Sequence, residues 1–135
     1  MEVILEGGCL CGAVRYRATG SAIASGICHC RSCQRTASAP TLPYVTLPLA
    51  AFEITRGSLA DYRSSAPVTR SFCARCGSPL TYRNDKKPDR IDIMTCSLDD
   101  PNKAPPTFHV WTDHKPVWDA IADGLPVFAK TKTET

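Results

Sequence analysis

Seven of the eight cysteines in this 135-residue chain fall into three tight groups, and no other feature constrains the fold as strongly. The groups are Cys9-Leu10-Cys11, Cys28-His29-Cys30-Arg31-Ser32-Cys33 and Cys73-Ala74-Arg75-Cys76-Gly77; Cys96 stands alone. Thiols two or three residues apart are crowded for ordinary structural disulfides, but they can converge on one ion. Zinc takes four ligands in a tetrahedron and favours thiolate among them. Seven grouped thiols complete one four-cysteine site and leave three over. Three protein ligands leave one position open, which is what a catalytic zinc requires. The expectation is two zinc ions per chain, one structural and one chemical.

The rest of the composition is ordinary. Hydrophobic residues make up 43% and charged residues 21%, as in a single globular domain. The net charge of +3, with no run of five like charges, gives no reason to expect nucleic acid as a partner. No apolar stretch approaches the roughly 20 residues of a membrane-spanning helix. The opening Met1-Glu2-Val3-Ile4-Leu5 does not read as an export leader. A cytoplasmic, reducing setting is therefore expected, in which clustered cysteines are ligands rather than disulfides.

Helical periodicity is scarce and alternation is common. Segments 13–18, 52–55, 69–72, 80–83, 90–94 and 108–111 read as strands, with eight glycines and 11 prolines punctuating the chain. Many short strands predict an antiparallel sandwich or an open barrel. One helical turn is expected at 31–36 and another at 117–121. Residues 101–106 read as a loop and 129–135 as a frayed polar tail. Trp111 and Trp118 are expected in the core.

Cys73-Ala74-Arg75-Cys76-Gly77 has the form of a zinc knuckle between two strands, with the glycine taking positive φ or admitting backbone amides to the sulfurs. Cys9 and Cys11, among Gly7, Gly8 and Gly12, can join it. That pairing would tie the amino terminus to mid-chain, where a crosslink constrains the unfolded chain most. Cys28, Cys30 and Cys33 are then the open site. Arg31 and Arg35 beside it would offset its negative charge and hold the carboxylates of an acidic ligand. The residues alone leave room for Cys96 or a histidine to close this site. His29, His109 and His114 read as hydrogen-bonded or exposed side chains rather than ligands.

Three stretches carry a family resemblance: Gly8-Cys9-Leu10-Cys11-Gly12-Ala13-Val14-Arg15-Tyr16, Cys28-His29-Cys30-Arg31-Ser32-Cys33-Gln34 and Phe72-Cys73-Ala74-Arg75-Cys76-Gly77-Ser78. They resemble the glutathione-dependent formaldehyde-activating enzyme family, also called the centromere protein V domain family. Ser97-Leu98-Asp99-Asp100-Pro101, His109-Val110-Trp111 and Asp123-Gly124-Leu125-Pro126 extend the likeness over nearly the whole chain. It places the domain at 1–128. The resemblance implies an all-β, Mss4-like fold of small antiparallel sheets with zinc knuckles. It also implies a structural zinc on Cys9, Cys11, Cys73 and Cys76, and an active-site zinc on Cys28, Cys30 and Cys33. Relatives usually carry a small residue where this chain has Cys96.

The implied activity is that of a carbon–sulfur lyase acting on a glutathione-type thiol and a small aldehyde such as formaldehyde, or on their S-hydroxymethyl adduct. A thiol at an open zinc position would lose its proton and attack the carbonyl carbon. The alternatives are a non-catalytic zinc scaffold and a glutathione-binding carrier.

Overall fold

The computed structural model describes residues 3–132. In chain order the strands are β1 (Val3–Gly8), β2 (Arg15–Gly20), β3 (Ala24–Cys28), β4 (Leu42–Pro48), β5 (Phe52–Arg56), β6 (Ala60–Ser65), β7 (Val68–Phe72), β8 (Pro79–Asn84), β9 (Arg90–Met94) and β10 (His109–Val110). The only α-helix among the described residues is α1 (Arg31–Ala37). Strands β1, β2 and β5 form a three-stranded antiparallel sheet. The other seven form a sheet in the order β10-β3-β4-β9-β8-β7-β6, antiparallel except where β10 runs parallel to β3. The expected all-β, Mss4-like class holds, with one sheet larger than anticipated and mixed rather than purely antiparallel.

Side chains alternate across a strand, so the large sheet has two different faces. Val45 lies opposite Ile93 and Leu47 opposite Ile91, all fully buried. They pack with Leu5, Tyr16 and Ala18 of the small sheet into the main core. The alternate residues point the other way: Tyr44 lies opposite Met94, and Thr46 opposite Asp92. On that second face Leu42, Met94, Phe108 and Val110 gather around Cys28 and Cys33 as a separate apolar cluster. One pleat thus supplies both a structural core and the floor of a site. Gly26 is part of this floor, because a Cβ there would sit 2.6 Å from the Phe108 ring.

Helix α1 begins where expected. Cys30 is its N-cap, with Sγ accepting from the Cys33 N–H, and Ser38 closes it in the left-handed region. The helix expected at 117–121 is absent. Pro116 instead starts a tight turn in which the Asp119 N–H donates to the Pro116 carbonyl at 3.1 Å. Val117 and Trp118 are 97% and 74% exposed. A single turn with no apolar face to bury has nothing to offset the cost of nucleating it. Trp118 is therefore not a core residue, and Trp111 is partly buried against the second cluster. A short 3-10 turn, Pro101–Lys103, punctuates the expected loop. Residues 128–130 are tied by backbone bonds from Trp111, Thr112 and Asp113. The last three tail residues, 133–135, lie outside the described residues.

Candidate metal centres and the adjoining cavity

Two hairpin tips meet to form the first thiol group. Cys9 and Cys11 lie on the turn from β1 to β2, and Cys73 and Cys76 on the turn from β7 to β8. All four sulfurs lie within 4.8 Å of one another. Cys9 and Cys11 are 3.7 Å apart, and Cys11 and Cys73 are 3.8 Å apart. Sulfurs tetrahedrally placed about 2.3 Å from zinc stand about 3.8 Å apart, so the donor set fits that ion. Gly12 and Gly77 both have φ of +80°, which lets each tip fold back on its cysteines. The Gly77 N–H donates to the Cys73 carbonyl at 2.8 Å. Ser78 braces the two tips: its Oγ accepts from the Leu10 N–H at 3.0 Å and lies 3.2 Å from Cys76 Sγ. This hydroxyl and the neighbouring backbone hold the Cys76 thiol down at about 5.

A single continuous segment builds the second group. Cys28 ends β3, Cys30 caps α1 and Cys33 sits in its first turn. Their sulfurs also lie within 4.8 Å of one another, and no fourth Cys, His, Asp or Glu joins them among the described residues. The close approach of Cys28 and Cys33 draws the Cys30 thiol well below its ordinary value, while Cys30 and Cys33 push Cys28 up. The Cys33 N–H adds a further hydrogen bond to Cys30 Sγ at 3.4 Å. A three-thiolate set of this kind selects a soft or borderline ion such as zinc. Cys96 belongs to neither group and is exposed. A lone cysteine is by default a small buried hydrophobe, but Cys96 lies on a 3-10 turn that presents it to solvent.

The cation beside this group is Arg70. Its Nη1 and Nη2 lie 4.0 and 3.9 Å from Cys33 Sγ, and its guanidinium stacks 5.1 Å from the Tyr82 ring centre. Its Nε is buried without a partner. Arg31 and Arg35 do not line the cavity that adjoins the thiols. At about 100° per residue, the helix that turns Cys33 inward turns positions 31 and 35 to solvent. Arg31 instead donates to Gln34 Oε1.

The second thiol group opens onto a cavity of about 390 Å³. Tyr44, Tyr82, Phe108 and Trp111 give it aromatic walls, and Arg70, Lys87, Arg90 and Lys132 give it positive charge. Its one acid is Asp92, whose Oδ1 accepts from Thr46 Oγ1 at 2.6 Å. Burial pushes the Asp92 carboxyl up to about 6, against the pull of Thr46 and of Lys87, Arg70 and Arg90. Sequence reasoning missed Arg70, Asp92 and both tyrosines. One signal was available: Asp92 interrupts the apolar residues Ile91, Ile93 and Met94, where a charge implies a wet or functional face.

Two of the histidines are buried and joined. His29 Nε2 lies 2.8 Å from His109 Nδ1, and His109 Nε2 lies 2.8 Å from Asp123 Oδ2. Neither ring is in a thiol group, as the sequence led us to expect. His114 lies on a 3-10 turn and stacks near Trp111.

These features define a class: an all-β domain with a four-thiol knuckle joining its sheets and a three-thiol group facing a cationic cavity. The chain belongs to the glutathione-dependent formaldehyde-activating enzyme family, whose model matches residues 4–114. A Halomonas elongata protein provisionally named a glutathione-dependent formaldehyde-activating enzyme is 29% identical over 125 residues, 86% of this chain and 80% of its own length. An uncharacterized lyase of Schizosaccharomyces pombe is 31% identical over 85 residues, 62% of this chain and 61% of its own. A crystal structure of a Rhodobacter sphaeroides protein, a structural genomics target, shares the fold with a TM-score of 0.60 at 21% identity. It covers 73% of this chain and 93% of its own.

Proposed function

We propose that this chain is a zinc-dependent carbon–sulfur lyase that joins a glutathione-type thiol to a small aldehyde such as formaldehyde, or cleaves their adduct. One observation carries the reading: an incomplete three-thiol group opens onto a cavity large enough for a tripeptide-sized ligand and lined by four cations. Cys28, Cys30 and Cys33 would hold zinc, which supplies an open coordination position where a substrate thiol loses its proton. Cys9, Cys11, Cys73 and Cys76 would hold the second, structural ion. In the forward direction the substrate sulfur forms a bond to the carbonyl carbon. The C=O π pair moves to oxygen, which takes up a proton. The reverse breaks the same C–S bond and returns the proton.

The chain's own residues bind and orient. Arg70 offsets the negative charge of the thiol group, and its positive charge on the cavity wall attracts a substrate carboxylate. Lys87, Arg90 and Lys132 extend that attraction along the cavity. Tyr44, Tyr82 and Phe108 exclude water from the reacting carbon. This assigns carboxylate recognition to the cavity cations in place of Arg31 and Arg35. The family and the names of the relatives support the same reading.

The test is carbon-13 exchange spectroscopy of formaldehyde and glutathione with the zinc-loaded protein. Formation and breakdown of the S-hydroxymethyl adduct should be faster than in buffer, and Cys30→Ser should remove the acceleration while the chain stays folded. Glutathione binding without acceleration would make the chain a carrier. Neither binding nor acceleration would leave a zinc scaffold.

A further inference from the structure

His29 stands between two of the three thiols of the open site. On extended backbone it points away from its neighbours, and it is 1% exposed. Three bonds fasten this one residue. Its N–H donates to the Val110 carbonyl of β10 at 3.0 Å. Its carbonyl accepts from Gln34 Nε2 of α1 at 2.7 Å, and that nitrogen also donates to the His114 carbonyl at 2.9 Å. Its ring meets His109, which meets Asp123.

The order of protons along that chain follows from its far end. The Leu125 N–H donating to Asp123, with His109 next, holds the Asp123 carboxyl below its usual range. A carboxylate only accepts, so His109 donates from Nε2. Neutral His109 then accepts at Nδ1, and His29 donates from Nε2. His29 Nδ1 is left as a bare lone pair, buried with no partner. A doubly protonated His109 would donate from Nδ1 instead. That would force the remaining His29 proton onto Nδ1, a buried donor facing no acceptor, which is the costlier arrangement.

We propose that Asp123 and His109 are positioning residues of the three-thiol site, acting through His29 to hold the peptide that carries Cys28 and Cys30. The proposal rests on reading that site as a metal centre. The five-pair ladder of β3 with β4 ends at Cys28, and β10 meets β3 over two residue pairs only, so His29 and Cys30 lie beyond the strand pairing. Three negative sulfurs within 4.8 Å would push this segment apart. The side-chain chain adds the missing restraint, and Gln34 fixes the Cys33-bearing helix to the same peptide. The thiols are thus held in ligating geometry in advance, with the His29 ring fastened through Nε2 to His109. Asp123 lies beyond residues 4–114 of the family match, on a loop that approaches the site only in the fold.

The test measures zinc affinity, not turnover. A chromophoric chelator competes for zinc in the wild type, Asp123→Ala, Asp123→Asn and His109→Phe, and the four-thiol site serves as the internal record of folding. Asp123→Ala and His109→Phe should lose about 10–100-fold in affinity at the three-thiol site while the knuckle keeps its ion. Asp123→Asn still presents an accepting oxygen to His109 and should recover most of the loss. Nitrogen-15 spectra of the wild-type rings should show the proton of His29 on Nε2 and a bare Nδ1. Affinities of Asp123→Ala and His109→Phe within twofold of wild type would overturn the proposal. A His29 proton found on Nδ1 would also overturn it. Zinc bound only at the knuckle in the wild type would defeat both this proposal and the metal reading, and is distinguishable because the wild type alone shows it.

Discussion

The two thiol groups differ less in chemistry than in how the chain reaches them. The knuckle draws its ligands from two hairpin tips, with Cys11 and Cys73 separated by 62 positions. It is braced by backbone amides and Ser78, and it closes on itself with four sulfurs. The second group comes from six consecutive residues and stops at three. Its fourth side is the cavity. A ligand set gathered from distant segments constrains the unfolded chain strongly, whereas a local set adds little loop closure. A metal ion held by both groups would therefore add more to stability at the first than at the second.

The sharpest way to break this comparison is to remove one ligand from each group. Cys73→Ser should lower the melting temperature by roughly 10 °C or more, or prevent folding, because zinc binding at a closed structural site is folding free energy. Cys30→Ser should cost far less. Equal drops in thermal melts, or the reverse order, would end the division into structural and open sites.

A smaller effect is expected at the cationic wall. Arg70→Ala should weaken glutathione binding to the zinc-loaded protein by about 1.5–3 kcal/mol, the worth of a charge-assisted hydrogen bond, and weaken a neutral thiol such as 2-mercaptoethanol less. Calorimetry with both ligands separates the cases. Equal losses would mean that Arg70 serves only the thiol group and holds no carboxylate.

Asp92 gives the cavity a pH signature of its own. Its folded value of about 6 lies above the ordinary 3.8, so the native state holds the extra proton between those values. Stability should then fall as pH rises from about 4 to about 6 and stay lower above that window. With partial solvation the loss is on the order of 1–2 kcal/mol. Asp92→Asn should remove it, raising the melting temperature at pH 7 and leaving it unchanged near pH 4. A mutant that gains nothing at pH 7 would show that a cavity cation already satisfies the carboxylate.

The smallest effect belongs to Cys96. Exposed and outside both groups, it should accept Cys96→Ala with two zinc ions retained and stability within about 0.5 kcal/mol. Loss of an ion would mean that the second site closes on a fourth thiol in solution.

Much of this was legible in the linear chain. Residues 90–94 form the expected strand with the expected bounds, and the turn after Cys30 is a helix. Strands β1, β3, β4 and β6 did not stand out. In β4 alternate residues face the main core on one side and the aromatic cavity on the other, so both faces carry apolar groups and the period-2 contrast is lost, while β3 is a five-residue strand interrupted by Ser25 and Gly26. The turn at 116–119 misled for the opposite reason: its apolar residues look like a helix face, yet nothing packs on them.

The sequence by itself determined the cysteine groups that could hold metal, because the close spacing of their thiols is a local property, readable from their intervals. It also determined the glycines at the knuckles, since positive φ is a local demand. Only the tertiary structure decided which charges serve the site. Arg31 and Arg35 are near Cys33 in sequence and turned away by the helix, whereas Arg70 reaches it across the sheet. His29, His109 and Asp123 form one hydrogen-bonded chain although 80 and 14 positions separate its successive members. Electrostatic and hydrogen-bonding partners are chosen by distance in space, and in a sheet that distance is set by strand order and register, which no local pattern encodes.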